Sequence, residues 1–366
     1  MTGQGPGAGR GGGFSPKDFA KKAAVRADGP AGTGTPAAPG RGRDGAPPRE
    51  PRRKAAPGPA RDTTMPVACA GPLRSLLQVE WDTPAHTAPT LIGPGAVPDA
   101  NALIVLRRTA FVPDGPAEVE LPQQAGTALL RWAQEHDLGQ VGPRVAQVAR
   151  RREFALERLA DGGAHVIRVL MEPEWRVAVG LGERSNAHEL GISLHGTYGW
   201  PIIPGSGLKG AAAAYAWSEV EGSAADVEAF TRVFGTPLPS HRVGGRERHG
   251  SETGSRGRVR FLDAFASGGP VTVSVDVLTP HVKPYYDTTV TGRPGEAAEP
   301  PAEHHQPVPV NFLTVSGGTF ATAVVGDDEG TTALAARWLT EAVADLGVGA
   351  KTGAGYGYMN AWEGSA

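Results

Sequence analysis

Two lysines lie inside glycine-rich turns, where a positive side chain and bare main chain can reach the same anion. Lys209 belongs to the segment Pro-Gly-Ser-Gly-Leu-Lys-Gly, which separates an apolar run from an alanine-rich run. Lys351 and Thr352 belong to Gly-Val-Gly-Ala-Lys-Thr-Gly-Ala-Gly-Tyr-Gly, residues 347–357. Glycine turns and helix starts expose backbone N–H groups, and a nearby lysine adds charge. Both segments are therefore candidate binding sites for phosphate.

The second segment does not match the two common nucleotide-binding signatures. A P-loop requires glycine one and six residues before its lysine, and here these positions hold Ala350 and Asp345. A dinucleotide-binding loop leads from a strand into a helix, whereas this loop follows a predicted helix and precedes a predicted strand. Its five glycines exceed the one or two that a helix end needs. We expect both turns to lie on one edge of the same small sheet. Together they favour an extended phosphate backbone over a lone phosphate, and we expect no cofactor.

Residues near the two turns extend the candidate site. His195 precedes the first turn, and a lone histidine is more often a structural hydrogen-bonding group than a catalyst. Six arginines in the segment 242–260 are typical of a solvated hairpin tip, but they could also clamp a second length of phosphate backbone. Tyr285, Tyr286 and Tyr356 are candidates for stacking on unpaired bases.

Metal and covalent chemistry find little support in the sequence. The single cysteine, Cys69, excludes an internal disulfide and a metal site built on two cysteines. His281, Glu303, His304 and His305 share one long segment, but their spacing matches no established ligand pattern. The sequence also lacks the Gly-x-Ser-x-Gly elbow of a serine nucleophile. We therefore expect no metal site and no catalytic nucleophile.

Composition separates a basic arm from the rest of the chain. The 366 residues are 40% hydrophobic, which suffices for a sizeable core, and no apolar run reaches the roughly 18 residues of a membrane helix. We therefore expect a cytoplasmic protein with no membrane segment. Residues 1–62 hold 12 Lys and Arg against 5 Asp and Glu and almost no large apolar side chains. Such a stretch cannot bury enough surface to fold. We predict a disordered arm over 1–64, an N-terminal part over 65–165 that packs on the core, and a main domain over 166–366.

The main domain and the segment before it read as α+β. We predict a helix over 144–161 whose apolar face holds Val145, Val148, Phe154, Leu156 and Leu159. We then predict two strands or a hairpin over 165–182, and a helix from Leu208 capped by Ser206. Two further strands, a hairpin at Gly317 and Gly318, a helix and a last strand follow. This order is that of a ferredoxin-like split βαββαβ fold with insertions, which RNA-recognition folds share.

Five segments carry a family resemblance. They are LHGTYGWPIIPGSGLKGAAAAYA, RFLDAF, DVLTPHVKPYY, PVPVNFLTVSGGTFATAV and LGVGAKTGAGYGYM. Their order and spacing, from about Leu194 to Met359, closely resemble the RAMP superfamily, and within it the sixth subunits of type III-B CRISPR Cmr effector complexes.

This resemblance implies a non-catalytic scaffold subunit that binds CRISPR guide RNA, packs against other RAMP subunits and meets target RNA only indirectly. The residues expected to contact RNA are Gly205, Ser206, Gly207, Lys209, Gly210, His195, Arg256, Arg258, Lys351, Thr352, Gly353, Gly355 and Tyr356. The alternative is a metal-independent RAMP endoribonuclease that processes guide RNA with His195 as general acid or base.

Overall fold

The computed structural model describes residues 67–80, 89–113, 123–182, 187–188, 190–220, 224–236, 254–279, 300, 307 and 309–364. The predicted disordered arm lies outside this set, as do Tyr285, Tyr286 and the four residues considered for a metal site. The chain divides into two units, Met1–Pro59 and Ala60–Ala366, and every described residue belongs to the second. Within the described ranges, none of the helices has the length and apolar character needed to cross a membrane.

The N-terminal elements surround a core that also includes residues of the later strands. They are β1 (Val67–Ala70), β2 (Gln78–Glu80), β3 (Thr90–Ile92), α1 (Ala102–Arg108), β4 (Ala110–Pro113), α2 (Gln123–Glu135) and α3 (Gly142–Asp161). Strand β1 pairs with β4 and β2 pairs with β3, both antiparallel. Leu106, Phe111 and Leu129 are buried in one cluster with Val273 and Leu313. The N-terminal part therefore packs on the main sheet.

The main sheet has five antiparallel strands. The remaining elements are β5 (His165–Pro173), α4 (Gly205–Glu219), α5 (Ala224–Phe234), β6 (Arg260–Phe261), β7 (Phe265–Leu278), β8 (Val310–Gly326), α6 (Glu329–Asp345) and β9 (Met359–Glu363). The strand order is β9, β5 and β8, and both β6 and β7 pair with β8. Val169 and Phe320 of the sheet share one buried cluster with Leu208 of α4 and Leu339 of α6. These two helices therefore cover one face of the sheet.

Helix α3 packs on the other face. Leu156 is buried with Ala323 and Val325 of β8, and Glu153 forms an ion pair with Arg168 of β5. The predicted apolar face of α3 is correct for Val145, Val148 and Leu156. It is wrong for Phe154, which is 63% exposed. A separation of two residues from Leu156 corresponds to about 200° around a helix, so Phe154 points away from the sheet.

Two predicted hairpins are absent from the described structure. Residues 310–326 form one continuous strand, in which Gly317 pairs with Thr272 and only Gly318 has positive φ, at 92°. A tight hairpin turn of type I′ needs positive φ at two successive residues, so the glycine pair forms an irregularity in the ladder instead. Over 165–182 the first predicted strand is confirmed as β5. The second strand, and with it the hairpin, is not formed, because in residues 174–182 only Val177 pairs, in an isolated bridge with Val315.

A buried amide joins the segment before α3 to β7. The side chain of Gln140 is 8% exposed, donates to Val271 O at 3.0 Å and accepts from Val271 N–H at 3.0 Å. Val271 itself is buried, so these two backbone groups depend on this side chain.

Replacing Gln140 by alanine leaves a buried N–H and a buried C=O of Val271 without their partner. We expect Gln140→Ala to lower the free energy of unfolding by about 2–4 kcal/mol, measured by urea denaturation. Gln147→Ala, at an exposed position of α3, is the control and is expected to change it by less than about 0.5 kcal/mol. Equal effects of the two substitutions would contradict the role of the Gln140 side chain as partner of the Val271 backbone groups.

Candidate nucleic-acid interface

The first glycine motif forms the start of α4. The helix begins at Gly205, after Pro204, and the predicted capping role of Ser206 is wrong. The Gly205 N–H instead donates to Asp263 Oδ1 at 2.7 Å, and Gly207 N–H donates to Pro204 O at 2.8 Å. A carboxylate of the protein thus already occupies the position where an anion would meet the first N–H. A phosphate therefore has to approach α4 from its exposed side.

The glycines of this motif fall into two groups. A Cβ at Gly205 would lie 2.1 Å from Phe261 O, so the fold itself requires glycine there. A Cβ at Gly207 or Gly210 would meet nothing within 4 Å, and both residues are exposed. A glycine inside a helix lowers the free energy of unfolding by about 0.5–1 kcal/mol relative to alanine. Since packing does not require these two glycines, they leave room for an external group to approach the main chain beside Lys209.

The second glycine motif connects α6 to β9. Lys351 has left-handed backbone angles, φ 62° and ψ 28°, and Thr352–Ala354 forms a short 3₁₀ turn. A non-glycine residue in this region is strained by about 1–2 kcal/mol, a feature that concentrates at functional sites. The Lys351 ammonium lies 5.5 Å from the centre of the Phe312 ring, so this aromatic ring holds the charge near the loop.

The same division of glycines applies to this loop. A Cβ at Gly349 or Gly357 would lie 2.4 or 2.2 Å from a backbone oxygen, so packing requires both glycines. Gly355 has a φ of 91°, which only glycine adopts without strain, and its surroundings are open. Gly353 has neither a close neighbour nor positive φ, and it is exposed. Gly353 and Gly355 therefore form the accessible part of the loop.

The two motifs are attached to different strands of the sheet. Ile203, just before α4, pairs with Ala264, the residue before β7. The second loop packs beyond β5, where Ala350 N–H donates to Ala178 O at 2.7 Å and Gly357 N–H donates to Arg176 O at 2.8 Å. Strand β8 lies between these two halves of the sheet. The sequence suggested one shared sheet edge, whereas a ligand that contacts both motifs has to cross several strand spacings of about 4.8 Å.

Tyr356 lies in the core and not on the surface. It is 8% exposed, and its hydroxyl donates to Asp276 Oδ2 at 2.7 Å. Burial, with a smaller effect of Asp276, raises the pKa of Tyr356 to about 12. Its ring packs against Trp175 and Phe312, with centroids 4.9 and 5.9 Å away. The base-stacking role predicted for Tyr356 is corrected, because this packing leaves its ring without an exposed face.

The exposed aromatic residue at this loop is Trp175, which sequence reasoning missed. Its side chain is 51% exposed. The available signal was a tryptophan between Glu174 and Arg176, two residues after Pro173. No local sequence pattern connects that position with Lys351, which lies 176 residues later in the chain.

His195 is held in a tight turn. Its backbone N–H donates to Trp200 O at 2.9 Å. Its Nδ1 accepts from the N–H groups of Thr197, at 3.2 Å, and Tyr198, at 3.4 Å. The neutral ring therefore carries its proton on Nε2.

Burial is the main reason why the pKa of His195 is lowered; Asp263 opposes the decrease and Arg152 adds to it. The ring also stacks on Tyr198, with centroids 4.9 Å apart, and contacts Phe265 at 4.8 Å. These contacts fix the orientation of the His195 ring and favour its neutral form.

The arginine segment is described only in part. Arg256 and Arg258 are exposed, and the Arg258 guanidinium lies 3.8 Å from Asp327. Arg258 and Arg260 line an open pocket of about 290 Å³. Arg242, Arg246 and Arg248 lie outside the described residues.

The sequence was also compared with known protein families. The model of one family, the RAMP superfamily, matches residues 89–360. The chain belongs to the RAMP superfamily. The match begins nearer the N-terminus than the RAMP-like motifs did, and it includes both glycine motifs.

Individual RAMP relatives are more distant. The chain is 29% identical over 236 residues to the CRISPR system Cmr subunit Cmr6 of Pyrococcus furiosus, covering 53% of this chain and 68% of that protein. A crystal structure of Cmr6 from Pyrococcus furiosus is similar with a TM-score of 0.31 and 26% identity, over 55% of this chain and 98% of that chain. A cryo-EM structure of the type III-B Cmr-beta bound to cognate target RNA has a TM-score of 0.44 and 20% identity. The match covers 66% of this chain and 73% of that chain.

The open glycines of α4 generate a prediction about stability. We expect Gly207→Ala with Gly210→Ala to raise the free energy of unfolding by about 1 kcal/mol, since alanine favours helix and meets no neighbour. Gly205→Ala is the contrasting variant and is expected to lower it, because its Cβ would lie too close to Phe261 O. Urea denaturation measures both, and a loss of stability in the double variant would show that the fold requires these glycines.

The structure also predicts a dependence of stability on pH. Burial lowers the pKa of His188, whose Nε2 accepts from Phe111 N–H at 3.1 Å, and the pKa of His195 is lowered as well. The unfolded chain protonates these rings near pH 6.5, and the folded chain does so only at lower pH. Their contribution to stability is therefore present above about pH 6.5 and is lost as the pH falls.

We expect His188→Gln with His195→Asn to be less sensitive to acid than the unmodified chain, because amide oxygens replace the two acceptor nitrogens without titrating. The measurement is the free energy of unfolding in urea between pH 7.5 and 5. Parallel curves for the two proteins would contradict the neutral state of these rings.

Proposed function

We propose that this protein is a non-catalytic, guide-RNA-binding scaffold subunit of a type III-B CRISPR ribonucleoprotein that acts in antiviral defence. Membership of the RAMP superfamily and similarity to a Cmr6 subunit support this assignment. Its partners would be guide RNA and neighbouring RAMP subunits, with target RNA met through the guide. We propose a cytoplasmic location, consistent with a single cysteine.

The strand order supports a ferredoxin-like interpretation of the main sheet. β5, α4, β7, β8, α6 and β9 follow the βαββαβ order, and β5 lies between β9 and β8. RNA-recognition folds use the free face of such a sheet to stack bases. Here α3 packs on that face, so the glycine motifs become the principal candidates for RNA contact.

The observation that carries the proposal is the presence of exposed glycines that packing does not require, beside both lysines. Gly207 and Gly210 flank Lys209 closely in α4, and Gly353 follows Lys351. Such sites let a sugar-phosphate backbone come close to the main chain and bind it through the lysine charges, without reading base sequence. Binding of this kind tolerates different guides and weakens with salt.

The geometry of His195 supports a role without catalysis. A general base needs a free lone pair, but Nδ1 already accepts from two backbone N–H groups and Nε2 carries the proton in the neutral ring. As a general acid, the protonated ring would have to break those same contacts.

The two lysines are tested in the assembled complex. We expect Lys209→Ala with Lys351→Ala to reduce the guide RNA retained by the purified complex about tenfold at 0.15 M salt, because two phosphate contacts are lost. Arg337→Ala is the control, since it removes an exposed charge of α6 that pairs with Glu341 four residues later. Retention equal to that of the control would contradict the role of the glycine motifs.

The nuclease alternative is tested separately. We expect the purified full chain to leave labelled CRISPR repeat RNA uncut in the presence of EDTA. Metal-independent cutting that disappears in His195→Ala, with the fold retained by circular dichroism, would replace the scaffold role by the endoribonuclease one.

A further inference from the structure

Trp175 is an exposed ring on a rigid part of the backbone. Trp175 is 51% exposed, whereas the backbone groups of the residues on either side form hydrogen bonds with residues 357 and 358. Glu174 N–H donates to Tyr358 O at 3.0 Å, and Arg176 O accepts from Gly357 N–H at 2.8 Å. The ring therefore projects beside the second glycine loop from a backbone that the loop itself holds.

The ring of Trp175 is supported on its protein side. Tyr356 packs against it at 4.9 Å, with the two planes tilted by 43°. Tyr356 is in turn buried and tied to Asp276 through its hydroxyl. A preorganised ring of this kind loses little freedom when a ligand stacks on it.

Two cations, Arg176 and Lys351, lie near this aromatic surface. The Arg176 guanidinium carbon lies 5.3 Å from the Trp175 ring centre, and Arg176 is held by Asp276 at 2.5 Å. The Lys351 ammonium lies 5.5 Å from the centre of the Phe312 ring, and Phe312 packs against Tyr356. Single-stranded nucleic acids are bound by this combination of aromatic faces with cations along the backbone path.

An exposed tryptophan is also a common anchor of protein interfaces, so the surroundings of Trp175 decide between the two partners. The centre of a protein interface is depleted of charged residues. Trp175 lies instead between the charged residues Glu174 and Arg176 and next to an accessible glycine loop with a lysine. These surroundings favour RNA.

We propose that Trp175 stacks on an unpaired base of the RNA strand whose phosphates contact the second glycine loop. The inference rests on the proposed function, since the loop has to hold the strand for a base to reach the ring. Stacking on Trp175 would add a contact with the base that the phosphate-binding groups cannot make. This contact would tolerate different sequences because every base has an aromatic face.

The test separates stacking from phosphate binding with two fluorescent strands of equal length. One is a twelve-residue oligouridylate, and the other is its abasic counterpart, which keeps the sugar-phosphate backbone. Binding of the full chain to each is measured by anisotropy. We expect Trp175→Ala to weaken binding to oligouridylate about tenfold and to leave the abasic strand unaffected. Trp175→Phe should retain most of the affinity.

Trp362→Ala is the matched control, because Trp362 is 40% exposed on β9, and it should change neither affinity. Equal affinity of the unmodified chain for both strands, or equal loss for both in Trp175→Ala, would overturn the stacking role but leave the phosphate-binding function standing. Failure to bind either strand would count against both. Unchanged RNA binding with loss of a neighbouring subunit in co-purification would assign the ring to a protein interface.

Discussion

Strand β8 is the structural element on which the rest of the molecule depends. It pairs with β5 along one side and with β6 and β7 along the other, and Val315 extends this pairing to Val177 beyond β5. Both glycine motifs are attached to neighbours of β8, one through Ala264 and the other through Ala178. A turn at Gly317 and Gly318 would have divided this strand and separated the two halves. Because β8 continues through the irregular pairing at Gly317, it determines where the candidate RNA-binding groups lie.

The division of the glycines into two groups gives the candidate site its physical meaning. Gly205, Gly349 and Gly357 are required by neighbouring backbone atoms, so their presence says nothing about ligands. Gly207 and Gly210 have open surroundings in a helix that alanine would stabilise. Neutralisation of the α4 start by Asp263 reinforces this view, because it directs a phosphate to the exposed side of the helix, where these glycines lie.

Several features could be predicted from the sequence because their signals are local. The apolar face of α6 and the alternating residues of β7 indicate their elements directly, and the glycine motifs indicate the family. Other features depend on contacts between distant residues. Asp263 is 58 residues away from the Gly205 N–H that it accepts from, and Gln140 is 131 residues away from Val271. Tyr356 is in the loop sequence but buried, while the exposed ring at that loop comes from Trp175. No local pattern distinguishes these cases.

The account depends on main-chain contact between an RNA strand and the open glycines of two separate motifs. The most direct measurement is a structure of the assembled complex with its guide RNA. The account predicts guide phosphates in van der Waals contact with the main chain at Gly207, Gly210, Gly353 and Gly355, with the ammonium groups of Lys209 and Lys351 within hydrogen-bond distance of phosphate oxygens. A guide that passes over other surfaces, with both motifs facing solvent or protein, would contradict it.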